Sequence, residues 1–400
     1  MLSNESTLTR SHLLENQFLP GKQKKVPTLD NEVREPPLRI ACVVQSQVAG
    51  GAENYLRLLY DRTSLPADTA VRLFGHIPHW DDAGQRATAI DLGPKWGRRT
   101  LAKGLLRVRE ERMAVEKSVA DYRADVFHLQ FKREQIAFTK SLARTAPVVW
   151  TEHGVGTPEM RAVLGVAYRR AAQHAAAIVC VSDDVAAHVR ALVGESTQIV
   201  TIENAIDTSQ HRPTDDATRR AARSELGLKE DALVAAWVGR VDPDKRPMLA
   251  LDIAQGWHGH LLVAGTGSEA SAVRSRAETM NNVHFLGYRD PDVVYRAADV
   301  FLMTTRGLSE GLPNNTLLEA AARGIPTVGA PVGAVADVVR RAGGKSPDTD
   351  APEEWRHAIE ALRADVGARG RAIDWALDHD IVQWRDRHFA AFRRVVSAAG

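Results

Sequence analysis

Cysteine is nearly absent: Cys42 and Cys180 are the only two in 400 residues, and each lies inside an apolar run. They read as small buried hydrophobes, not as a disulfide framework or a thiolate metal site, and such usage suits a reducing, cytoplasmic setting. No stretch approaches the roughly 18 consecutive apolar residues of a membrane-spanning helix. Charge of one sign is lacking too: 52 Lys and Arg stand against 50 Asp and Glu, and a net +2 is too small to argue for nucleic acid. No fixed-period repeat marks a solenoid or a propeller. Residues 1–37 lack the apolar core of a signal peptide; they are polar, with Lys22, Lys24, Lys25 and Pro36-Pro37, and read as a disordered leader.

What remains is ordinary globular protein, with 44% hydrophobic and 26% charged residues, long enough for two domains. From Leu38 onward, short apolar runs alternate with helical-length segments. The runs are Arg39–Val44, Val71–Gly75, Val126–Leu129, Val148–Thr151, Ala177–Val181 and Ile199–Ile202. Continuous apolar strands separated by helices indicate a parallel sheet covered on both faces. His211–Asp231 is charged, helical and without a strand. Leu233–Val238, Leu261–Ala264, Val283–Phe285, Val300–Met303 and Pro326–Val328 then read as a second parallel sheet. Trp375–Ser397 reads as one long amphipathic stretch that closes the chain on its body. Doubly wound sheets bind ligands at the carboxyl ends of their strands, so the expected site is the cleft between two such halves.

The loops after the strands carry the informative residues. Gly50-Gly51 opens a helix, and two glycines there let backbone amides approach a phosphate or sugar. His153 ends a strand and is followed by Gly154 and Gly156; it can donate a hydrogen bond to a sugar hydroxyl. Glu203-Asn204-Ala205-Ile206-Asp207 reads as a turn that ends the first half and faces either a hinge or the cleft. Gly239-Arg240-Val241-Asp242-Pro243-Asp244-Lys245 sets two cations around a proline turn. A rigid guanidinium fork and a mobile ammonium together suit a diphosphate leaving group. Asp242 and Asp244 resemble a metal-binding pair, but the proline and the flanking cations favour a plain turn. Gly265-Thr266-Gly267 lacks the third glycine of a dinucleotide fingerprint. The segment Ser309-Glu310-Gly311-Leu312-Pro313-Asn314-Asn315-Thr316 enters a helix with Asn as its cap. That helix start offers free amides, and Glu319 lies in its first turns.

Taken in order, these loops resemble the retaining GT-B glycosyltransferases of family 4. The likeness covers most of residues 38–345. It includes Gly-Gly-Ala-Glu at 50–53, the strand-end His153, Asn-x-Ile-Asp at 204–207, Val-Gly-Arg at 238–240 with Lys245, Phe-Leu-Gly-Tyr at 285–288, Glu-Gly-Leu-Pro-Asn at 310–314, Leu-Glu-Ala at 318–320 and Gly-Ile-Pro at 324–326. The resemblance implies an α/β, GT-B architecture: two Rossmann-like doubly wound parallel-sheet domains with an interdomain cleft. Residues 38–208 would be the acceptor side and 209–372 the nucleotide-sugar side, with a closing helix in 373–400 packing back toward the first. It further implies sugar transfer, with retention and without metal or other cofactor, from a nucleoside diphosphate sugar, a UDP-sugar being expected. The acceptor would be a hydroxyl of a glycan, a lipid-linked sugar or a small metabolite. By the likeness, Arg240 and Lys245 bind the diphosphate. Glu310 and the amides of Gly311, Leu312, Pro313, Asn314, Asn315 and Thr316 hold the donor sugar, and Glu319 binds the ribose. Gly50, Gly51 and Gly239 face phosphates or acceptor, and His153 acts near the sugar. One departure is visible. The family's two glutamates usually stand eight apart, and here they stand nine apart. The doubled Asn314-Asn315 places the extra residue in the loop, since inside a helix it would turn Glu319 by about 100°.

Rival readings are an epimerase or phosphorylase of the same fold, an NAD-dependent oxidoreductase, and a non-catalytic sugar-nucleotide-binding protein. The incomplete glycine fingerprint argues against the oxidoreductase. Lys95–Arg112 interleaves Lys95, Arg98, Arg99, Lys103, Arg107, Arg109 and Arg112 with Trp96, Leu101, Leu105, Leu106 and Val108. Such a helix is either solvated or lies on an anionic membrane.

Overall fold

The computed structural model describes residues 37–48, 50–97, 100–154, 158–306 and 311–400, with only the backbone described at 158–160. The expected leader lies outside the described residues except for Pro37. Seven strands form the first sheet: β1 (Leu38–Gln45), β2 (Thr69–His76), β3 (Arg86–Thr88), β4 (Val126–Leu129), β5 (Val148–Glu152), β6 (Ala177–Cys180) and β7 (Ile199–Thr201). Five form the second: β8 (Val234–Val238), β9 (His260–Ala264), β10 (Val283–Gly287), β11 (Val300–Met303) and β12 (Thr327–Gly329). The strand orders are β3-β2-β1-β4-β5-β6-β7 and β10-β9-β8-β11-β12, and every pairing is parallel. Each order reverses beside its first strand, between β1 and β4 and between β8 and β11. Those switch points open crevices at the strands' carboxyl ends. β3 is the strand that apolar patterning misses, because it is a three-residue edge strand whose side chains are not buried.

The helices are α1 (Gly51–Leu59), α2 (Leu101–Val119), α3 (Lys132–Leu142), α4 (Pro158–Ala172), α5 (Asp183–Val193), α6 (Asp216–Glu225) and α7 (Pro247–Ala254). They continue with α8 (Ala270–Ala277), α9 (Pro291–Ala297), α10 (Asn315–Ala322), α11 (Gly333–Arg341), α12 (Pro352–Ala364), α13 (Ala368–Leu377) and α14 (Ile381–Ala399). Side chains of α2, α3, α4 and α5 bury one face of the first sheet. The other face is covered by α1 and, from the far end of the chain, by α14 through Trp384, Phe389, Phe392 and Val395. No helix among the described residues is long and apolar enough to cross a membrane.

The chain passes between the sheets twice, and the two crossings pair with each other. The Ile206 amide donates to the His379 carbonyl at 3.0 Å, and the Ile381 amide donates to the Ile206 carbonyl at 3.0 Å. The Thr208 hydroxyl donates to Asp380 Oδ2 at 2.5 Å. This corrects the reading of Trp375–Ser397 as one stretch. Trp375 belongs to α13, and α14 starts anew at Ile381, capped by Asp380, whose side chain accepts from the Val382 amide at 2.8 Å. A bridge that holds residue 380 to residue 206 is incompatible with a continuous helix there.

Candidate functional site

A cavity of about 540 Å³ opens between the sheets, at the carboxyl ends of β1, β5, β7, β8 and β11. Of the residues expected to form the site, it brings together Gly50, Gly51, His153, Gly239, Arg240, Lys245, Gly311, Asn314, Asn315 and Thr316. Glu310 lies outside the described residues. Leu312 and Pro313 are buried behind the wall, where the Pro313 carbonyl accepts from Asn204 Nδ2 at 2.9 Å. Asn204, which also lines the cavity, therefore ties the first half's exit turn to the start of α10. Glu319 is not among the lining residues. It is mostly buried on α10 beside Tyr295 and Arg323, and burial raises its carboxyl pKa while both neighbours oppose the rise.

Two helix starts meet across this space. Gly50 caps α1 with no side-chain bond, which leaves first-turn amides open. Asn314 caps α10 by accepting from the Leu317 amide at 3.0 Å. A Cβ added to Gly51 would stand 3.9 Å from Asn315 Nδ2, so the two N-termini face one another. Both carry partial positive charge, an arrangement suited to an anion held between them. Gly311 has a different role. A Cβ there would fall 2.1 Å from Val181 Cγ2 and 2.7 Å from the His153 carbonyl oxygen, so the second half's loop rests directly on the strand ends of the first. Gly311→Ala is expected to displace that loop. It should cost roughly 1–3 kcal/mol of stability, as overpacking does, and weaken donor binding, checked by urea unfolding and by calorimetry with UDP. Unchanged values in both would show that the loop yields without cost.

The cationic loop after β8 is built on its neighbours. Lys245 ends a single turn of 3-10 helix, Pro243–Lys245. The Thr304 hydroxyl, beyond β11, donates to the Lys245 carbonyl at 2.6 Å and accepts from Trp237 Nε1 at 2.8 Å. Burial pushes the Lys245 ammonium down to about 8, with Arg240 adding to the shift and Asp244 and Asp242 opposing it. Arg240 is exposed and reaches both Asp242 and, at 3.3 Å, Asp244. Asp242 also accepts from the Ser268 amide at 2.8 Å and the Ser268 hydroxyl at 2.9 Å. The two aspartates therefore brace a turn. The glycine turn at 265–267 has a plain mechanical purpose. A Cβ on Gly265 would lie 1.8 Å from the Gly239 carbonyl oxygen, and one on Gly267 would lie 2.4 Å from that of Val241. Only glycine lets this loop support the cationic one so closely.

His153 sits immediately after β5, half-buried, with Nε2 sealed from solvent and without a hydrogen-bond partner among the described residues. Burial, aided by Lys95, Lys132 and His388, lowers its pKa to about 3, so the ring is neutral. The neutral ring lines the cavity wall, and its Nε2 would meet a hydroxyl only after a neighbouring side chain moves aside. Tyr55 of α1 packs edge-on against it at 4.7 Å between ring centroids and packs equally on Trp384 of α14. The Tyr55 hydroxyl bonds His388 Nε2. Sequence reading missed Tyr55, Trp237, Thr304 and Trp384. Tyr55 and Thr304 lie close to motifs already singled out, whereas Trp384 approaches only because α14 crosses back. Lys95, the first residue of the expected membrane segment, belongs to this region as well. It pairs with the buried Glu53 and lies over the Phe131 ring at 3.7 Å. Arg98 and Arg99 of that segment lie outside the described residues.

A family model described as "Glycosyltransferase Family 4" matches residues 49–210, and one described as "Glycosyl transferases group 1" matches residues 232–365. D-inositol 3-phosphate glycosyltransferase of Mycobacterium tuberculosis (strain ATCC 25618 / H37Rv) is 30% identical over 235 residues, covering 54% of this chain and 48% of that protein. The chain thus spans about half the length of the curated relatives it matches. Anabaena Alr3699/HepE in complex with UDP and glucose superposes with a TM-score of 0.71 at 19% identity, over 89% of this chain and 99% of that one. Sucrose-phosphate synthase from Thermosynechococcus elongatus gives 0.72 at 19% identity, over 90% and 100%. At these identities the structural likeness concerns the fold alone.

Proposed function

We propose a sugar transfer for this chain, which belongs to the GT-B glycosyltransferases of family 4. The donor in this reading is a nucleoside diphosphate sugar, and the acceptor is a hydroxyl. The observation that carries it is convergence. The open starts of α1 and α10, the Arg240–Lys245 loop and the neutral imidazole of His153 all line one cavity. A diphosphate matches the two helix starts and the two cations, and a sugar hydroxyl matches His153. UDP is the nucleotide we favour, supported by the UDP-bound HepE structure. We place the acceptor side in 38–208, the donor side in 209–372 and the closing segment in 373–400. The ribose role of Glu319 rests on the family pattern.

In the reaction we propose, configuration is retained. The acceptor oxygen attacks the anomeric carbon on the face that the diphosphate leaves. The bond from carbon to phosphate oxygen breaks, and the acceptor's proton passes to the departing phosphate. Arg240, Lys245 and the helix amides meet the charge that gathers on that phosphate, so no metal is invoked, and the protein contributes position and preorganised dipoles.

The test has two stages. UDP and UDP-sugars should raise the unfolding temperature, as any ligand selective for the folded state does. Product from a stabilising donor and a panel of acceptors should then show the donor's anomeric configuration by proton NMR. Inversion at that carbon would sink the mechanism. An epimer formed from donor alone would replace transfer with epimerisation, and binding without transfer or hydrolysis would leave a non-catalytic binder.

A further inference from the structure

The two crossings between the sheets carry a cluster of charges that the chemistry of transfer does not call on. Glu203 stands one residue before Asn204, in the turn by which the chain leaves the first sheet. Its carboxylate meets three donors. Arg341, the last residue of α11 in the second half, donates from Nη2 to Oε1 at 2.7 Å and from Nη1 to Oε2 at 3.2 Å. His379, at the return crossing, holds Nε2 3.0 Å from Oε2. The other ring nitrogen of His379, Nδ1, lies 2.8 Å from the Trp375 carbonyl. Burial would raise the Glu203 carboxyl, but the bonds and charges of His379 and Arg341 overcome it and hold it down at about 2. A carbonyl and an ionised carboxylate can only accept, so the His379 ring donates from both nitrogens and is a cation in this arrangement. Asp183, at the start of α5, sets a second acidic group of the first half toward Arg341. A forked and partly buried network of this kind fixes geometry, where an isolated exposed pair contributes little.

A second observation connects this cluster to the cavity. Asn204, next along the chain, lines the cavity, and its Nδ2 donates to the carbonyl of Pro313, immediately before the Asn314 cap of α10. Two successive residues of the first half therefore grip the second half at two places. Glu203 takes the end of α11, and Asn204 takes the start of α10. Of the two roles open to this turn, hinge or cleft, it fills both. Glu203, Arg341 and His379 themselves are not among the residues that line the cavity.

We infer that Glu203 is a positioning residue: clasped by Arg341 and His379, it fixes the second half over the first, so that the starts of α1 and α10 face each other across the cavity. Its effect reaches the donor through Asn204 and the α10 amides, not through contact. The clasp lies beside both crossings, so a small displacement there is magnified at the far rim of the cleft. The inference rests on the proposed transfer only in taking a nucleoside diphosphate as the ligand.

The test pairs small-angle X-ray scattering of the ligand-free full chain with UDP calorimetry. Arg341→Glu sets a carboxylate against Glu203. It should raise the radius of gyration by roughly 1 Å, against about 21 Å for a compact chain of this length. It should also lower UDP affinity at least roughly fivefold. Glu203→Gln should shift both readings the same way and less. Arg341→Lys keeps the charge without the fork and should retain most of the affinity. In the Glu203→Gln background, Arg341→Glu should add little, because the partner it repels has gone. Arg340→Glu is the control. Arg340 pairs with Asp337 on its own helix, and this variant should match the parent chain in both readings. Arg341→Glu that leaves both readings unchanged, or shifts only one of them, would overturn the inference. So would additive effects in the double variant, or an equal effect from Arg340→Glu. Expansion of Arg341→Glu in a chain whose parent binds no UDP would remove the proposed function and leave the clasp standing.

Discussion

Replacing Lys245 with alanine should lower turnover by roughly 10²–10³-fold, the usual effect of deleting one preorganised charge-stabilising group, while the unfolding transition barely moves. The turn that carries Lys245 is held by its backbone, through the Thr304 hydroxyl on its carbonyl, so truncation of the side chain leaves the loop in place. The effect should also depend on pH. Burial has already lowered the ammonium to about 8. Below that pH the free protein presents a cation to the donor diphosphate. Above it, binding must first recruit a proton, so donor affinity should fall by up to about tenfold per pH unit. Calorimetry with UDP across pH 7–10 should show this fall in the parent chain and not in Lys245→Ala. Near-normal transfer by the variant would sink the diphosphate assignment. The stability linkage has the opposite sign. Between about 8 and its ordinary 10.5 the unfolded chain holds this proton more tightly, so the group adds stability as pH rises through that window.

Acid should destabilise the protein steeply well before its carboxylates titrate. His128 and His388 are fully buried, at 0% exposure each. His128 sits between the Tyr60 hydroxyl at 2.6 Å and the Thr151 hydroxyl at 2.7 Å. His388 donates from Nδ1 to the Trp384 carbonyl at 2.7 Å and turns Nε2 to Tyr55. Burial, with a contribution from His388 and His153, lowers His128 to about 3. Burial lowers His388 to about 4, opposed by its bond to Trp384. In the unfolded chain both would titrate near 6.5, so below that pH the unfolded state binds more protons and stability falls. Each should cost roughly 1 kcal/mol per pH unit until its folded pKa is reached. Urea unfolding from pH 7 to 4.5 should show a loss that His388→Gln reduces by about a third, because glutamine can still accept from Tyr55 without taking up a proton while His128 and His153, held down in the same way, keep their share. Equal slopes for the two proteins would sink this account. His388 lies on α14 and touches Tyr55, which positions His153. The same acid transition should therefore loosen the cleft wall early.

Much of the site was legible in the chain because its chemistry is local. A glycine pair after a strand, a histidine at a strand end and two cations around a proline turn announce themselves within a few residues. The strands were legible too, since buried parallel strands are continuous apolar runs; β3 escaped because an edge strand of three residues buries nothing. The break between α13 and α14 also escaped, because the amphipathic period continues across it. What stops the helix is a backbone pairing between Ile206 and Asp380, and no local pattern reports a partner that far away.

The sequence by itself determined two parallel α/β sheets, the order of their loops and the residue types that meet at the carboxyl ends of the strands. Only the tertiary structure decided which of those residues share a space. It set the starts of α1 and α10 face to face and turned Glu319 toward Tyr295. It took Lys95 out of the expected surface helix to pair with the buried Glu53 of α1 and brought Trp384 and His388 from α14 to brace Tyr55 and His153. The reason is physical. Periodicity and turn chemistry act over a few residues, whereas apposition of two sheets depends on contacts such as Gly311 against Val181, whose partners lie far apart along the chain and meet only once both halves have folded.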